Sequence, residues 1–374
     1  MNSTVIKWVI GVIAVVLIVW LGYSSFSGDR VSDKTGPIKI GVSLPLTGEA
    51  SAYGEAVRGG VELAAKEFND QGGINGRVVE LIIEDDKCNQ AGSSVFNKLV
   101  NVDKVHAIIG PLCSAAAGPG LPVAQSAGIP TIVVGSAPAL TSIGDFIFRV
   151  YPSDALQGKV SAEFIFNELG KKNVAVVYVQ NDWGQGIQET FIKRFKELGG
   201  TISVNESVLQ DSVDLRTQLT KVKSAAAEAL YFPVYVQNAI AGVRQIRELG
   251  LNIPVVAGDV FADESIFSLP AAEGIVYIQG KSNNPEEFQN KVLELSGVSG
   301  NAFTPYFYDA VRVMLSVIKD VGTDPDDIKK ALVNLSYDES IAVPKISFDE
   351  VGDLVGAEVD IRVIQNGKSV PYSD

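Results

Sequence analysis

Strand and helix patterns alternate twice along this chain of 374 residues, and that alternation limits its fold more than any other feature. In the first run, residues 38–43, 78–84, 105–109 and 131–134 are short apolar stretches that predict strands. Between them residues 53–69, residues 91–100 and a segment after Ser114 predict helices. Val57, Val61, Ala64, Ala65 and Phe68 fall on one face of the first helix. Gly72-Gly73 stops it, and Asn75-Gly76 makes a tight turn. The rhythm restarts after residues 148–152. There, residues 155–169, 184–198, 215–225 and 237–249 predict helices, and 174–179, 201–204, 229–232 and 254–257 predict strands. Strands and helices at this spacing mean parallel, doubly wound sheets. The expected fold class is α/β, with two doubly wound lobes and a central cleft. Helices near 285–295, 305–321 and 326–334, and strands at 346–347 and 358–365, complete the reading. A hydrophobic fraction of 46% is enough for a large core.

In open α/β sheets, ligands sit outside the carboxyl ends of the strands. That rule selects loops carrying Ser114 and Ser136 in the first unit, and Asp182-Trp183, Tyr235 and Asp259 in the second. The stretch from Val105 to Ser114 is the most informative of them. An apolar strand is broken by Gly110-Pro111 and feeds a helix that begins near Ser114. A helix start presents free N–H groups and the positive end of a dipole, so a carboxylate suits it. The plainer alternative is that Ser114 only caps its helix. Hydroxyls, aromatics and one acid across a cleft would suit a zwitterion: Asp259 for an ammonium, Tyr and Trp for an apolar side chain.

Catalytic and nucleic-acid readings lack their residues. The balance of 31 basic against 44 acidic side chains, net −13, excludes a broad nucleic-acid footprint. The one histidine, His106, falls at the start of a strand, away from the ligand end, so a Ser-His-Asp triad has no base. There is no G-x-S-x-G elbow, no P-loop and no G-x-G-x-x-G. No His/Cys/Asp cluster has zinc spacing, and Asp85-Asp86 reads as an exposed acidic turn before it reads as a metal site. No enzyme and no cofactor are expected.

Lys7 is the last charge before Asp29, and the residues from Trp8 to Trp20 are almost wholly apolar. Such a run is a signal-peptide core or a short transmembrane helix. With no A-x-A cleavage signal and no lipid-accepting Cys after it, an uncleaved anchor over residues 1–24 is favoured over a cleaved signal. Lys7 would stay cytoplasmic, which puts everything after Asp29 outside. Residues 25–36 read as a tether. Outside the cytoplasm, Cys88 and Cys113 are most simply a disulfide, and two free buried thiols are the alternative.

Several stretches together resemble the type I periplasmic solute-binding proteins of ABC importers, in the branched-chain amino-acid (Leu/Ile/Val) group. They are Ile38-Lys39-Ile40-Gly41, Pro45-Leu46-Thr47-Gly48, Tyr53-Gly54, Gln71-Gly72-Gly73-Ile74-Asn75-Gly76, Glu84-Asp85-Asp86 with Cys88, and Ile109-Gly110-Pro111-Leu112-Cys113-Ser114. The resemblance covers about residues 37–365. It implies that Ser114, Ser136 and backbone near Val134 hold a ligand carboxylate. It implies that Asp259, where many relatives carry Glu, holds the ammonium, and that Tyr53, Trp183 and Tyr235 line the side-chain pocket. It also implies the Cys88–Cys113 disulfide. Three crossings are expected near Val150, Gln279 and Pro344. They give a first lobe of 37–150 plus 280–343 and a second of 151–279 plus 344–370. The implied activity is extracytoplasmic binding of an amino acid, branched-chain or otherwise apolar, for ABC importer permease subunits. The alternatives are a sensor of the same fold, or a binder of a short amide, urea or aromatic acid.

Overall fold

The computed structural model describes residues 36–48 and 50–373. The expected anchor at 1–24 and nearly all of the expected tether lie outside them. Among the described residues no helix is long and apolar enough to cross a membrane.

Two sheets organise these residues. The first has five strands in the order β2-β1-β3-β4-β5: β1 Ile38–Leu44, β2 Val79–Asp85, β3 Ala107–Ile109, β4 Thr131–Val133 and β5 Ile147–Arg149. All its pairings are parallel. The second has seven, in the order β12-β11-β10-β9-β8-β6-β7. Its members are β6 Asn173–Val179, β7 Thr201–Val208, β8 Ala229–Phe232, β9 Val255–Ala257, β10 Val276–Gly280, β11 Val359–Gln365 and β12 Lys368–Pro371. Strands β6 to β10 run parallel, and β11 runs antiparallel to both of its neighbours, β10 and β12. The central strand β8 reads as a continuous apolar run, and all four of its residues are buried.

The helices are α1 Ser51–Asp70, α2 Gly92–Asn97, α3 Ser114–Ala127, α4 Asp154–Glu163, α5 Asp182–Glu197, α6 Arg216–Ser224, α7 Val236–Glu248, α8 Glu264–Phe267, α9 Glu286–Ser296, α10 Thr304–Val321 and α11 Pro325–Val333. Helix α10 is buried on almost every side, with Tyr306, Phe307, Val311, Met314, Leu315 and Ile318 fully covered. Each such side chain contributes about 1.5–3 kcal/mol on burial, so α10 is the main plug of the first core.

The chain leaves the first sheet after Arg149, leaves the second after Gly280, and re-enters the second only at Val359. The expectation that residues 344–370 belong to the second lobe is corrected in part. Ile346, Phe348 and Leu354 pack into the first core, and the expected strand at 346–347 is a single bridge, Tyr337 to Ile346. The late crossing has a physical cause. Arg149 is fully buried and bonds Asp353 Oδ1 through Nε and Nη2, at 2.9 and 2.6 Å, which holds this segment on the first lobe. Strands β5, β10 and β12 have no counterpart in the sequence reading. They are short, and periodicity does not separate them from turns.

Candidate functional site

The loops at the carboxyl ends of β1, β3, β4, β6, β8 and β9 converge on one cavity. Ser114, Val134 and Ser136 line it from the first lobe, and Trp183, Tyr235 and Asp259 from the second. Tyr53 closes it from α1. All seven sequence-derived positions therefore meet in one place.

The first-lobe side is built by loop crosslinking. Gly110 has φ +92°, and a Cβ there would collide with the carbonyl oxygen of Ser43, so only glycine fits. The Gly110–Pro111 peptide is cis. Pro111 O accepts from Val134 N at 3.2 Å and from Gly135 N at 3.1 Å, which ties the loop after β3 to the loop after β4. Helix α3 begins at Ser114, with Cys113 at the cap position and no side-chain cap bond. Ser114 does not cap its own helix. Its Oγ accepts from Ala137 N at 3.1 Å, which leaves its proton to donate. A hydroxyl donor at a helix start, where N–H groups lack intrahelical acceptors, can receive an anion. Arg149 Nη1 donates to Ser136 O at 2.9 Å and Ala137 O at 2.7 Å, so the Ser136 loop is held from beneath.

Cys88 and Cys113 are disulfide-bonded, with Cα atoms 5.2 Å apart. The bond joins the segment after β2 to the N-terminus of α3. Asp86 is not part of an exposed acidic turn. It is fully buried, accepts from Ser43 Oγ at 2.8 Å and Cys88 N at 2.8 Å, and burial pushes its carboxyl up to about 6. Asp85 caps the next loop, accepting from Leu46 N at 2.9 Å and from the Thr47 hydroxyl. His106 sits before β3, where Lys39 N donates to its Nδ1 at 3.1 Å, away from the cavity. Among the described residues no group of three or more His, Cys, Asp or Glu could hold a metal ion.

The second-lobe side carries the negative charge. Asp259 is 4% exposed. Its Oδ2 accepts from Tyr151 OH at 2.9 Å and lies 3.5 Å from Gln157 Nε2. Burial pushes Asp259 up to about 6 despite these bonds. Behind it lies Asp154, also fully buried. Burial first, and then the charge of Asp259, hold the Asp154 carboxyl well above the usual range. Trp183 and Tyr235 stack with centroids 5.2 Å apart at 25°, forming one flat wall. Asn181 accepts from Gly184 N at 3.0 Å and caps α5, which fixes Trp183 in its first turn.

Sequence reasoning missed four contributors. Tyr151, Phe303 and Gln210 line the cavity, and Gln157 touches Asp259. Tyr151 lies in the segment after β5, a strand the sequence reading lacks, and Phe303 lies in the turn before α10. The available signal was an aromatic residue next to a proline at the first crossing, Tyr151-Pro152, and another just before a helix start, Phe303-Thr304-Pro305. Two hydrogen bonds span the lobes at this site, Tyr53 OH to Val260 O at 3.0 Å and Gln210 Nε2 to Cys88 O at 3.2 Å.

Two α/β lobes around a cavity with a hydroxyl and helix start on one side and a buried acid on the other define a two-lobed solute-binding protein. The chain belongs to the periplasmic binding protein family, whose pattern matches residues 37–365. The family consists of non-enzymatic ligand binders and implies a place outside the cytoplasm. The Leu/Ile/Val-binding protein homolog 1 of Brucella melitensis is 30% identical over 338 residues, which is 88% of this chain and 90% of that protein. The leucine-, isoleucine-, valine-, threonine- and alanine-binding protein of Pseudomonas aeruginosa is also 30% identical, covering 85% of this chain and 87% of its own length. Among solved structures, a leucine-binding protein of Thermotoga maritima superimposes with a TM-score of 0.82 at 27% identity, covering 90% of this chain and 98% of that one. A branched-chain amino-acid transporter binding protein of Streptococcus pneumoniae, solved with isoleucine, has a TM-score of 0.79 at 28% identity, covering 89% and 97%. A solute-binding protein of R. palustris, solved with benzoate, has the same fold at 21% identity, with a TM-score of 0.80 and coverage of 90% and 96%.

Proposed function

We propose that this chain is the binding protein of an ABC importer and takes up an amino acid with an apolar side chain between its lobes. The observation that carries this reading is the opposed pair of ends in one cavity. Ser114 at the start of α3 suits a carboxylate. Asp259, buried 4% exposed on the facing lobe, suits an ammonium. Ser136 adds a hydroxyl beside Ser114, and the backbone at Val134 completes that end. Tyr53 and the Trp183–Tyr235 stack suit an apolar side chain. Relatives whose names specify leucine, isoleucine and valine support the same class of ligand. The permease subunits of an importer are the partner the family supplies.

A second reading has a specific observation in its favour. A flat stacked indole and phenol also suit an aromatic acid, and a protein of this fold was solved with benzoate. That ligand has no ammonium and leaves Asp259 without a cationic partner, so the amino-acid reading uses the site more fully.

The N-terminal segment is proposed as the attachment to the membrane. Residues 8–28 carry no charge and begin with a long apolar run after Lys7. Membrane fractionation of the full chain, with mass determination of its N-terminus, checks this. Recovery of a shortened soluble protein would replace the anchor with a cleaved signal.

The deciding experiment is a thermal-shift and calorimetric screen of residues 37–374 against leucine, isoleucine, valine, small amides, urea and benzoates. A ligand at a hundredfold excess over its Kd stabilises the protein by about 2.7 kcal/mol, which reads as a clear rise in Tm. The amino-acid reading fails if only acids without an ammonium shift the transition.

A further inference from the structure

A second carboxyl group lies behind Asp259 and has no counterpart in the sequence-derived site. Asp154 opens α4 just after the first crossing and is fully buried. Its backbone N–H donates to Ser136 O at 2.9 Å, which sets it beside the Ser136 loop. One amide group touches both acids: Gln157 Nε2 lies 3.2 Å from Asp154 Oδ1 and 3.5 Å from Asp259 Oδ2. The other oxygen, Asp154 Oδ2, has no hydrogen-bond partner, and neither does Gln157 Oε1. An ionised buried oxygen without a donor is among the costliest arrangements in a protein. Protonation removes the charge and most of that cost.

We infer that Asp154 and Asp259 act as one pair that holds a proton while the cleft is empty and releases it to solvent when a cationic ligand group enters. Asp154 is thus a further determinant of ligand charge, acting through Asp259 and Gln157, and a positioning residue. The inference rests on the proposed ligand's carrying an ammonium. The balance is simple. The protonated pair plus ligand cation gives the ionised pair bound to the cation, plus one proton to the buffer.

The surroundings favour this sharing. From β5, Arg149 is the cation facing Asp154, but its guanidinium is already bonded to Asp353 and to the carbonyls of Ser136 and Ala137. From the first crossing, Tyr151 donates to Asp259. Tyr231 from β8 and Tyr235 before α7 face both acids, with Asp182 also near Tyr235. Tyr53 from α1 faces Asp259 and Asp263. All these phenols stay neutral, because burial raises them further. Arg149 is the only cation facing the pair, and the Ser136 hydroxyl and Trp183 N–H also favour an ionised Asp154, but burial and the charge of Asp259 outweigh all three, so the empty site keeps a proton. The carboxyls of both acids are raised in the same direction.

The test is calorimetry of leucine binding in buffers of different ionisation enthalpy, from pH 5 to 8, on wild type and Asp154→Asn. Wild type is expected to release on the order of one proton per ligand near neutral pH and to lose about tenfold in affinity per pH unit on the acid side. In Asp154→Asn both effects are expected to vanish near neutral pH, since Asp259 is then ionised before the ligand arrives. Equal proton release in the two proteins overturns the inference. A second measurement needs no ligand. Carboxyl carbon NMR or infrared titration of the empty wild-type protein should reveal a buried protonated carboxyl at pH 7, and two ionised acids there overturn the pair. If leucine and every other amino acid fail to bind, the proposed function falls, while the titration still decides whether the proton is shared.

Discussion

Asp259 is the acid of the buried pair that lines the cavity, and its removal separates the two ligand readings. Asp259→Ala is expected to cost an amino-acid ligand at least about 2 kcal/mol, roughly thirtyfold in Kd, because an ammonium loses its buried partner. An aromatic acid should bind the same variant as well as wild type. Isothermal titration with leucine and benzoate reads both outcomes, and unchanged leucine affinity would remove Asp259 from the ammonium role. Arg149 works differently. It is buried and touches no ligand-facing space, yet it holds two carbonyls of the Ser136 loop and the Asp353 carboxylate. Arg149→Met takes the cation away from Asp353 and one donor each from the Ser136 and Ala137 carbonyls, which keep the bonds from Asp154 N and Leu140 N, so a stability loss of about 3 kcal/mol is expected in chemical denaturation. Strand ends mark ligand loops, so the sequence reading placed Ser114, Ser136 and Asp259 on loops that line the cavity. It missed Tyr151 and Gln157, whose roles depend on where the first crossing folds back.

At the scale of elements, the helix start at Ser114 is a fixed part of the site. Four local devices fix it: Gly110 in the left-handed region, the Pro111 carbonyl shared by two N–H groups, Ser114 Oγ bonded to Ala137, and the Cys88–Cys113 disulfide. The disulfide closes a loop of 25 residues, which contributes about 3 kcal/mol in the chain-entropy model. Paired Cys88→Ser and Cys113→Ser substitutions should therefore lower the urea midpoint, and should weaken carboxylate binding more than the stability loss alone requires. A double variant with wild-type affinity would make the disulfide a stabiliser only. Helix α1 is placed by a close approach at Gly54, where a Cβ would collide with the Pro45 carbonyl, and this sets Tyr53 over the cavity. That placement was not legible in the helical periodicity of residues 53–69, which describes a face but not a neighbour.

At the scale of the whole molecule, the lobes are in contact across the cleft. Tyr53 OH bonds Val260 O, Gln210 bonds the Cys88 carbonyl, and Gly118 on α3 meets Asp182 at the start of α5 so closely that a Cβ would collide with its carboxylate. Each bond of this kind contributes about 0.5–1.5 kcal/mol. Tyr53→Phe combined with Gln210→Ala should shift the ligand-free protein toward an open form, seen as a larger radius of gyration in small-angle scattering. No change would mean that other contacts hold the lobes. Stability against pH follows from the buried acids. Asp86, Asp259 and Asp309 are each raised to about 6 by burial, so in the fold their ionised forms are disfavoured. Their contribution is greatest when they are protonated and is lost as pH rises through about 6. Asp145 and Glu228 are shifted down, by hydrogen bonds from Gln125 and Lys329 in the first case and from backbone N–H groups in the second, and their contribution is lost in stronger acid. The loss begins near 3.8, where the unfolded carboxyls ionise, so thermal melts should be highest at about pH 4 and lower at pH 7. A maximum above pH 7 would contradict this. The α/β alternation and the loops that line the cavity are legible in the chain, because periodicity and strand-end chemistry are local. The packing of Ile346, Phe348 and Leu354 into the first core, the burial of Asp86 and the place of Asp154 behind Asp259 emerge on folding. Each of these depends on contacts between segments far apart in the chain, and no local pattern records such contacts.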